Sequence, residues 1–298
     1  IGIILARLLS PSDYGLMGVV MIFTTLSYIL VEGGFTASLV RTKEITKEHT
    51  NTVFYSNLAV SISLYIIFFV SAPLIASFFS QEELTPLIRV TNLALIFNSL
   101  YIVPYGLIER ELNFKKLAKI NIISTTLSGL SGVVSAYYNV GVWALVIQQT
   151  SYHLIRSICF YAWQRWLPSL IFSKKIFKEY ASFSVHILSS NILNIFFNNI
   201  YTFLLGKFYS VKQLGYYTHA NKMAETANFT FSAIFGKTSY NLFAKIHDQS
   251  EKLIYAMRQM IQKSSLIIIP TTIFLIFAAK PLFLTLFGEK WLASVPYF

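Results

Sequence analysis

Long uncharged stretches alternate with short basic ones along this chain, and the alternation predicts its helices. Tyr14–Val31 carries no charge, and Thr50–Gln81 carries none for 32 residues. Val90–Ile108 follows, then Ile120–Ile155, which is too long for one span and is interrupted by Tyr137-Tyr138-Asn139-Val140-Gly141. Asn and Gly in such a place mark a tight turn, so this stretch reads as two helices. Tyr180–Gly206, Leu214–Gly236 and Ser264–Phe287 complete the pattern. A bilayer is crossed by roughly 20 residues, a length that most of these runs approach, and Thr50–Gln81 is long enough for a tilted span. The reading is eight spans, preceded by a short apolar stretch, Ile1–Leu9, that reads as the end of a truncated first helix.

Composition agrees with an all-α integral membrane protein. Of 298 residues, 55% are hydrophobic and 12% are charged, with a mean hydropathy of +0.57. A soluble domain carries about 25% charged residues, so a disordered chain and an ordinary soluble enzyme are excluded. The net charge of +11 is no nucleic-acid signature on so apolar a chain; basic residues here report orientation. Loops around 32–52, 109–119, 156–180 and 237–263 hold 17 Lys and Arg, while the opposite helix ends hold six, Arg7, Arg89, Lys207, Lys212, Lys280 and Lys290. The first group is therefore expected in the cytoplasm. The lone Cys159 has no partner for a disulfide or a metal.

The chain also repeats itself. Ala6-Arg7-Leu8-Leu9-Ser10-Pro11-Ser12-Asp13-Tyr14-Gly15 aligns with Gly206-Lys207-Phe208-Tyr209-Ser210-Val211-Lys212-Gln213-Leu214-Gly215. Pro73, Leu74 and Phe79 match Pro281, Leu282 and Phe287. Both offsets cross an even number of spans, so the halves would run parallel, as in transporters built from six-helix repeats. The expected organisation is an N-terminal lobe at 1–163, a cytoplasmic linker at 164–181 and the first three helices of a second lobe at 182–298, each lobe having six spans in the full chain.

The segment Leu205-Gly206-Lys207, Leu214-Gly215-Tyr216-Tyr217, Ala220 and Lys222, with Ala6-Arg7-Leu8-Leu9-Ser10-Pro11 and Tyr14-Gly15 in the first half, resembles the Wzx-type polysaccharide flippases. These form the polysaccharide branch of the multidrug/oligosaccharidyl-lipid/polysaccharide exporter superfamily. The resemblance implies two helical lobes around a cavity and transfer of a polyprenyl-pyrophosphate-linked oligosaccharide across the bacterial inner membrane, for O-antigen, lipopolysaccharide or other polysaccharide assembly. It implies no enzymatic activity, cofactor, metal or nucleotide. The implied partners are the lipid-linked saccharide, membrane lipids and other membrane proteins of polysaccharide assembly. Where many members have an Asp near Tyr201, this chain has Asn198 and Asn199.

Polar side chains at helical spacing inside apolar runs are the candidate chemistry. Three stripes stand out: Asn191, Asn194 and Asn198; Gln149, His153 and Arg156; and His219, Lys222 and Glu225. Arg7 and Lys207, at matching repeat positions, are further cationic candidates. Lys and Arg suit a pyrophosphate through charge-assisted hydrogen bonds, and Asn and Gln suit sugar hydroxyls. Structural readings compete with each: interhelical hydrogen bonding for the asparagines, mutual neutralisation of Lys222 and Glu225, snorkelling of Arg156, interface marking by Arg7 and Lys207, and simple packing of His186. Two resemblances to other chemistry fail on context. Gly236-Lys237-Thr238 lacks the first glycine of a phosphate-binding loop, and the sequon Asn228-Phe229-Thr230 lies in a span. Two other functions compete with a flippase, a membrane-embedded polysaccharide polymerase or polyprenyl-dependent glycosyltransferase, and a multidrug-type antiporter. The first usually needs larger outer loops than those here, and the second typically uses buried carboxylates.

Overall fold

The computed structural model describes residues 1–32, 34, 35, 38, 39, 42, 44–164, 166–226 and 250–298, with side chains for all of these except 183–187, 189, 190 and 250. The latter part of the 214–236 run, both failed motifs, the His186 side chain and the basic residues Arg41, Lys43, Arg165, Lys237 and Lys245 lie outside the described residues. Of the described residues, 87% are helical and none lies in a strand. It is an all-α integral membrane protein. Five described helical stretches are long and apolar enough to cross a membrane: Pro11–Glu32, Lys47–Phe79, Leu84–Arg110, Phe114–Tyr137 and Glu251–Leu286. The chain divides into two compact units, Ile1–Leu214 and Gly215–Phe298.

In the first unit, α1 (Gly2–Leu8) precedes α2 (Pro11–Glu32) and α3 (Lys47–Phe79). The expected 90–108 run starts earlier, as α4 (Leu84–Thr91), and continues past a turn at buried Asn92 into α5 (Leu93–Arg110). Next come α6 (Phe114–Tyr137), α7 (Trp143–Gln164) and α8 (Lys174–Phe208). The last two sit where spans are expected, but their Gln, Asn, His, Arg and Lys content dilutes their hydropathy.

Local chemistry explains the boundaries. Pro11 opens α2, where its fixed φ and missing N–H are harmless. Thr46 and His49 close a reciprocal cap on α3. The Asn113 side chain accepts from the Lys116 N–H at the start of α6. The α6–α7 turn contains Asn139 and Gly141 at φ of 57° and 59°, the left-handed conformation those residue types accept. The two helices then pack along a stripe of small buried residues, Ser124, Ser128, Gly132 and Ala136. A Cβ on Gly132 would lie 2.9 Å from the Gln148 Cβ, so the backbones approach closely there.

The sequence repeat has a counterpart in local structure. At the start of α2, Ser10 N–H and Oγ both donate to Asp13 Oδ2, at 2.8 and 2.7 Å, and Asp13 N–H donates back to Ser10 Oγ. Two hundred residues on, Ser210 N–H and Oγ donate to Gln213 Oε1, and Gln213 N–H donates back to Ser210 Oγ. The residues ahead of these caps, Leu9 and Tyr209, are both extended and bond back to Leu5 and Leu205 carbonyls. The second offset is matched too. Ser80, ending α3, and Gly288 both have positive φ and bond back to the carbonyls of Ala76 and Leu284 respectively.

The unit boundary falls within α9, residues 211–226. The second unit continues with α10 (Ser250–Leu286) and a 3₁₀ segment, Glu289–Tyr297. Its core is aromatic, with Phe283, Phe287 and Trp291 fully buried.

Candidate functional site

The face of α7 that carries Gln149, His153 and Arg156 is buried against α2 and α5. Their spacing puts the three side chains on one side of the helix. His153 lies between two tyrosines: its Nε2 is 2.8 Å from the Tyr28 hydroxyl and its Nδ1 is 3.0 Å from that of Tyr101. The imidazole stacks on the Tyr28 ring at 4.8 Å between centroids. One turn on, Arg156 Nη1 donates to the Tyr152 hydroxyl at 3.1 Å and, more weakly, to that of Tyr101 at 3.4 Å. Its guanidinium lies 4.8 Å from the Tyr101 ring centroid, with Tyr105, Tyr152 and Phe160 also around it.

A guanidinium only donates, so the Tyr101 oxygen accepts from Arg156. A neutral imidazole donates from one ring nitrogen and accepts at the other, so Tyr101 and Tyr28 take opposite roles towards His153, set by its tautomer. The Gln149 amide hydrogen-bonds the Tyr28 hydroxyl. All three residues of the α7 stripe thus join one chain. Arg156 Nε is buried and has no hydrogen-bond partner among the described residues. A donor of a cationic group in that state favours an anionic acceptor. The carboxylates of Glu32 and Glu109 are in electrostatic range, and Glu109 accepts from the Tyr105 hydroxyl at 3.3 Å.

The other sequence candidates lie elsewhere. On α8, Asn191 is half-buried while Asn194 and Asn198 are exposed; the neighbouring face of that helix, including Ile195 and Phe203, packs towards α2 around an apolar cavity of about 310 Å³. Arg7 is exposed in the last turn of α1. Lys207 donates to the Phe78 carbonyl and covers the Phe78 ring at 4.2 Å, which ties the end of α8 to the end of α3. In the second unit His219 is buried, stacked on Trp291 at 4.1 Å and edge-on to Phe287 at 4.5 Å. Lys222, one turn later, is exposed, and Glu225 accepts from Asn221 at 2.8 Å. Among the described residues no group of three or more His, Cys, Asp or Glu is placed to hold a metal.

The tyrosines are the part that sequence reasoning misses. Tyr28, Tyr101, Tyr105 and Tyr152 come from three helices, and nothing marks them among 18 tyrosines and 26 phenylalanines. A faint signal exists in Tyr101 and Tyr105, four apart on one helix, and in Tyr152 and Arg156, likewise four apart.

Residues 4–296 match a family model described as polysaccharide biosynthesis protein. The chain belongs to that family. Membership bears out the resemblance carried by Leu205-Gly206-Lys207 and Leu214-Gly215-Tyr216-Tyr217. Among curated relatives, this polysaccharide biosynthesis family chain is 29% identical over 280 residues to the teichuronic acid biosynthesis protein TuaB of Bacillus subtilis, covering 92% of the chain and 57% of TuaB. It is 28% identical to the succinoglycan biosynthesis transport protein ExoT of Rhizobium meliloti, over 98% of the chain and 59% of ExoT. To the lipopolysaccharide biosynthesis protein WzxC of Escherichia coli it is 25% identical, over 98% of the chain and 60% of WzxC. The chain thus spans about three-fifths of the length of these relatives. No solved structure matches it significantly. It is a multi-pass membrane protein of a polysaccharide biosynthesis family that includes named transport proteins.

Proposed function

We propose that the protein containing this chain is a non-enzymatic flippase of the bacterial inner membrane, and that it moves a polyprenyl-pyrophosphate-linked oligosaccharide from the cytoplasmic to the outer leaflet. The observation that carries this reading is the cationic and tyrosine-rich cluster on α7, set inside an apolar bundle. A pyrophosphate with its sugars cannot enter hydrocarbon unaided, because desolvating so many polar groups is prohibitive. A guanidinium held by aromatic rings and tyrosine hydroxyls, with one buried donor unused, suits such an anion. Gln149 and the tyrosines offer donors and acceptors to sugar hydroxyls. The names of the similar proteins support transport over catalysis. In this reading residues 1–163 form one helical lobe, 164–181 the linker and 182–298 part of a second. The asparagines of α8, Lys222 and His219, and the cationic ends at Arg7 and Lys207 are proposed as further contacts along the route.

The test is Arg156→Gln in the complete protein, expressed in a strain lacking its own gene. Surface polysaccharide should fall at least tenfold while protein level stays normal, and lipid-linked oligosaccharide should accumulate on the cytoplasmic side. Normal export by this variant would remove Arg156 from the pathway. Loss of export with no accumulated intermediate would point instead to a synthetic step.

A further inference from the structure

The segment joining α7 to α8 exposes apolar side chains beside basic ones. Leu167, Leu170, Ile171, Phe172 and Phe177 are all exposed, Leu170 to 95%. A loop of this composition ordinarily collapses inward, but this one is held open by its backbone. Ser169 N–H donates to Asn51 Oδ1 at 2.6 Å, and Ser173 N–H donates to Thr52 Oγ1 at 3.0 Å. Both acceptor residues are buried on the first turns of α3. Trp166 sets its ring edge-on to Phe54 at 5.5 Å, a third anchor. Fixed in this way, the segment presents its apolar side chains outward.

Beside it is an open, mainly apolar surface cavity of about 650 Å³, lined by Phe172, Phe177, Ala181 and Ser182 together with Lys174 and Lys178. The two lysines are one helical turn apart and share a face. Lys175 is exposed next to them, and Glu179 is the single acidic residue between 166 and 182. The apolar run of α8 begins just after, at Tyr180, so these ammonium groups sit at headgroup level on the side with the basic loops.

We propose that this surface is a binding site for an anionic phospholipid of the cytoplasmic leaflet. Its phosphate lies between Lys174 and Lys178, and an acyl chain occupies the cavity against Phe172 and Phe177. Charge complementarity selects the headgroup, since lysine binds phosphate as a point charge. The apolar lining selects the tail, because a soluble anion would leave most of the cavity unfilled and offers it nothing apolar. Leu170 and Ile171 enter the lipid alongside, as exposed apolar groups next to basic ones do at membrane surfaces.

The test is the lipid dependence of thermal stability in the complete detergent-solubilised protein, a readout independent of export. Dioleoylphosphatidylglycerol should raise Tm by a few degrees, and dioleoylphosphatidylcholine should not. Each lysine near an anionic surface contributes about fivefold in affinity, so Lys174→Gln with Lys178→Gln should raise the half-saturating phosphatidylglycerol concentration about 30-fold. The melting temperature in phosphatidylcholine should not change. Lys178→Gln alone, expected to cost about fivefold, keeps the question answerable if the double variant does not fold. Leu170→Ser should weaken the effect with both lysines present. An unchanged phosphatidylglycerol titration in the lysine variants overturns the site. Equal stabilisation by phosphatidylcholine overturns the headgroup selection, and equal stabilisation by sodium phosphate or pyrophosphate makes this a free-anion site, overturning the lipid.

Discussion

At the scale of single residues, the chemistry of the site depends on hydroxyl groups that have no charge of their own. Tyr101 accepts from Arg156 and hydrogen-bonds His153 Nδ1, so it links the guanidinium to the imidazole. Tyr101→Phe keeps the ring beneath Arg156 but removes the link. A buried ring nitrogen of His153 then loses its partner, at a cost of about 1–3 kcal/mol. A thermal melt of the solubilised protein should show that loss, and export should fall further than in Tyr161→Phe, whose hydroxyl donates only to the Leu100 carbonyl. Equal effects of the two changes would mean that Tyr101 is structural alone. The polar members of the α7 stripe were legible in the sequence because Gln149, His153 and Arg156 interrupt an apolar run at helical spacing. Their tyrosine partners were not, because contact between α2, α5 and α7 is a tertiary fact. His219 has the same limitation. Its ring packs on Trp291, seventy-two residues later, and no local spacing announces that.

At the scale of elements, helix limits were readable wherever a cap or turn residue has a local role. The break at Tyr138–Gly141 was expected from Asn139 and Gly141, and both adopt positive φ there. The start of α4 at Leu84 was not, since the polar Glu82-Glu83-Leu84-Thr85 stretch looks like loop until Leu84, Leu87 and Ile88 are buried. The small-residue stripe on α6 likewise passes for a featureless run until α7 is laid against it. Close backbone approach makes a sharp prediction at Gly15. A Cβ there would sit 2.0 Å from the Val211 carbonyl oxygen, whereas one on Gly2 would meet nothing within 4 Å. Gly15→Ala should therefore force α2 away from the start of α9 and destabilise the protein by about 1–3 kcal/mol or more, while Gly2→Ala should leave the melt unchanged. Comparable melting temperatures for these two variants would contradict the close packing.

At the scale of the whole molecule, orientation follows from charge, and the repeat makes the orientation consistent. The caps at Ser10 and Ser210, and the positive-φ ends at Ser80 and Gly288, match locally at the two repeat offsets, and the charge reading expects each of these positions at an outer helix end. The exposed lysines of 174–178 and 115–119 fall on the side that carries the excess of basic residues. That placement also underlies the lipid site, since anionic lipid attraction to lysine is a property of the cytoplasmic leaflet. Single cysteines in an otherwise cysteine-free protein test all of this at once, with Cys159→Ser as part of the background. Placed at Lys115 or Lys175, a cysteine should react with a membrane-impermeant maleimide only after the cells are opened. Placed at Glu82, in a short exposed turn, or at Lys212, exposed in the first turn of α9, it should react in intact cells. If Lys115 and Lys175 label from outside, the orientation inverts, because every span between these positions is fixed in order. The α7 cluster would then still lie within the membrane, but the lysines beside Phe172 would face the outer leaflet and the cytoplasmic lipid assignment would go with them. Labelling at Glu82 but not at Lys212 would instead break the shared outer-side assignment of these two positions while leaving the orientation of the first helices intact.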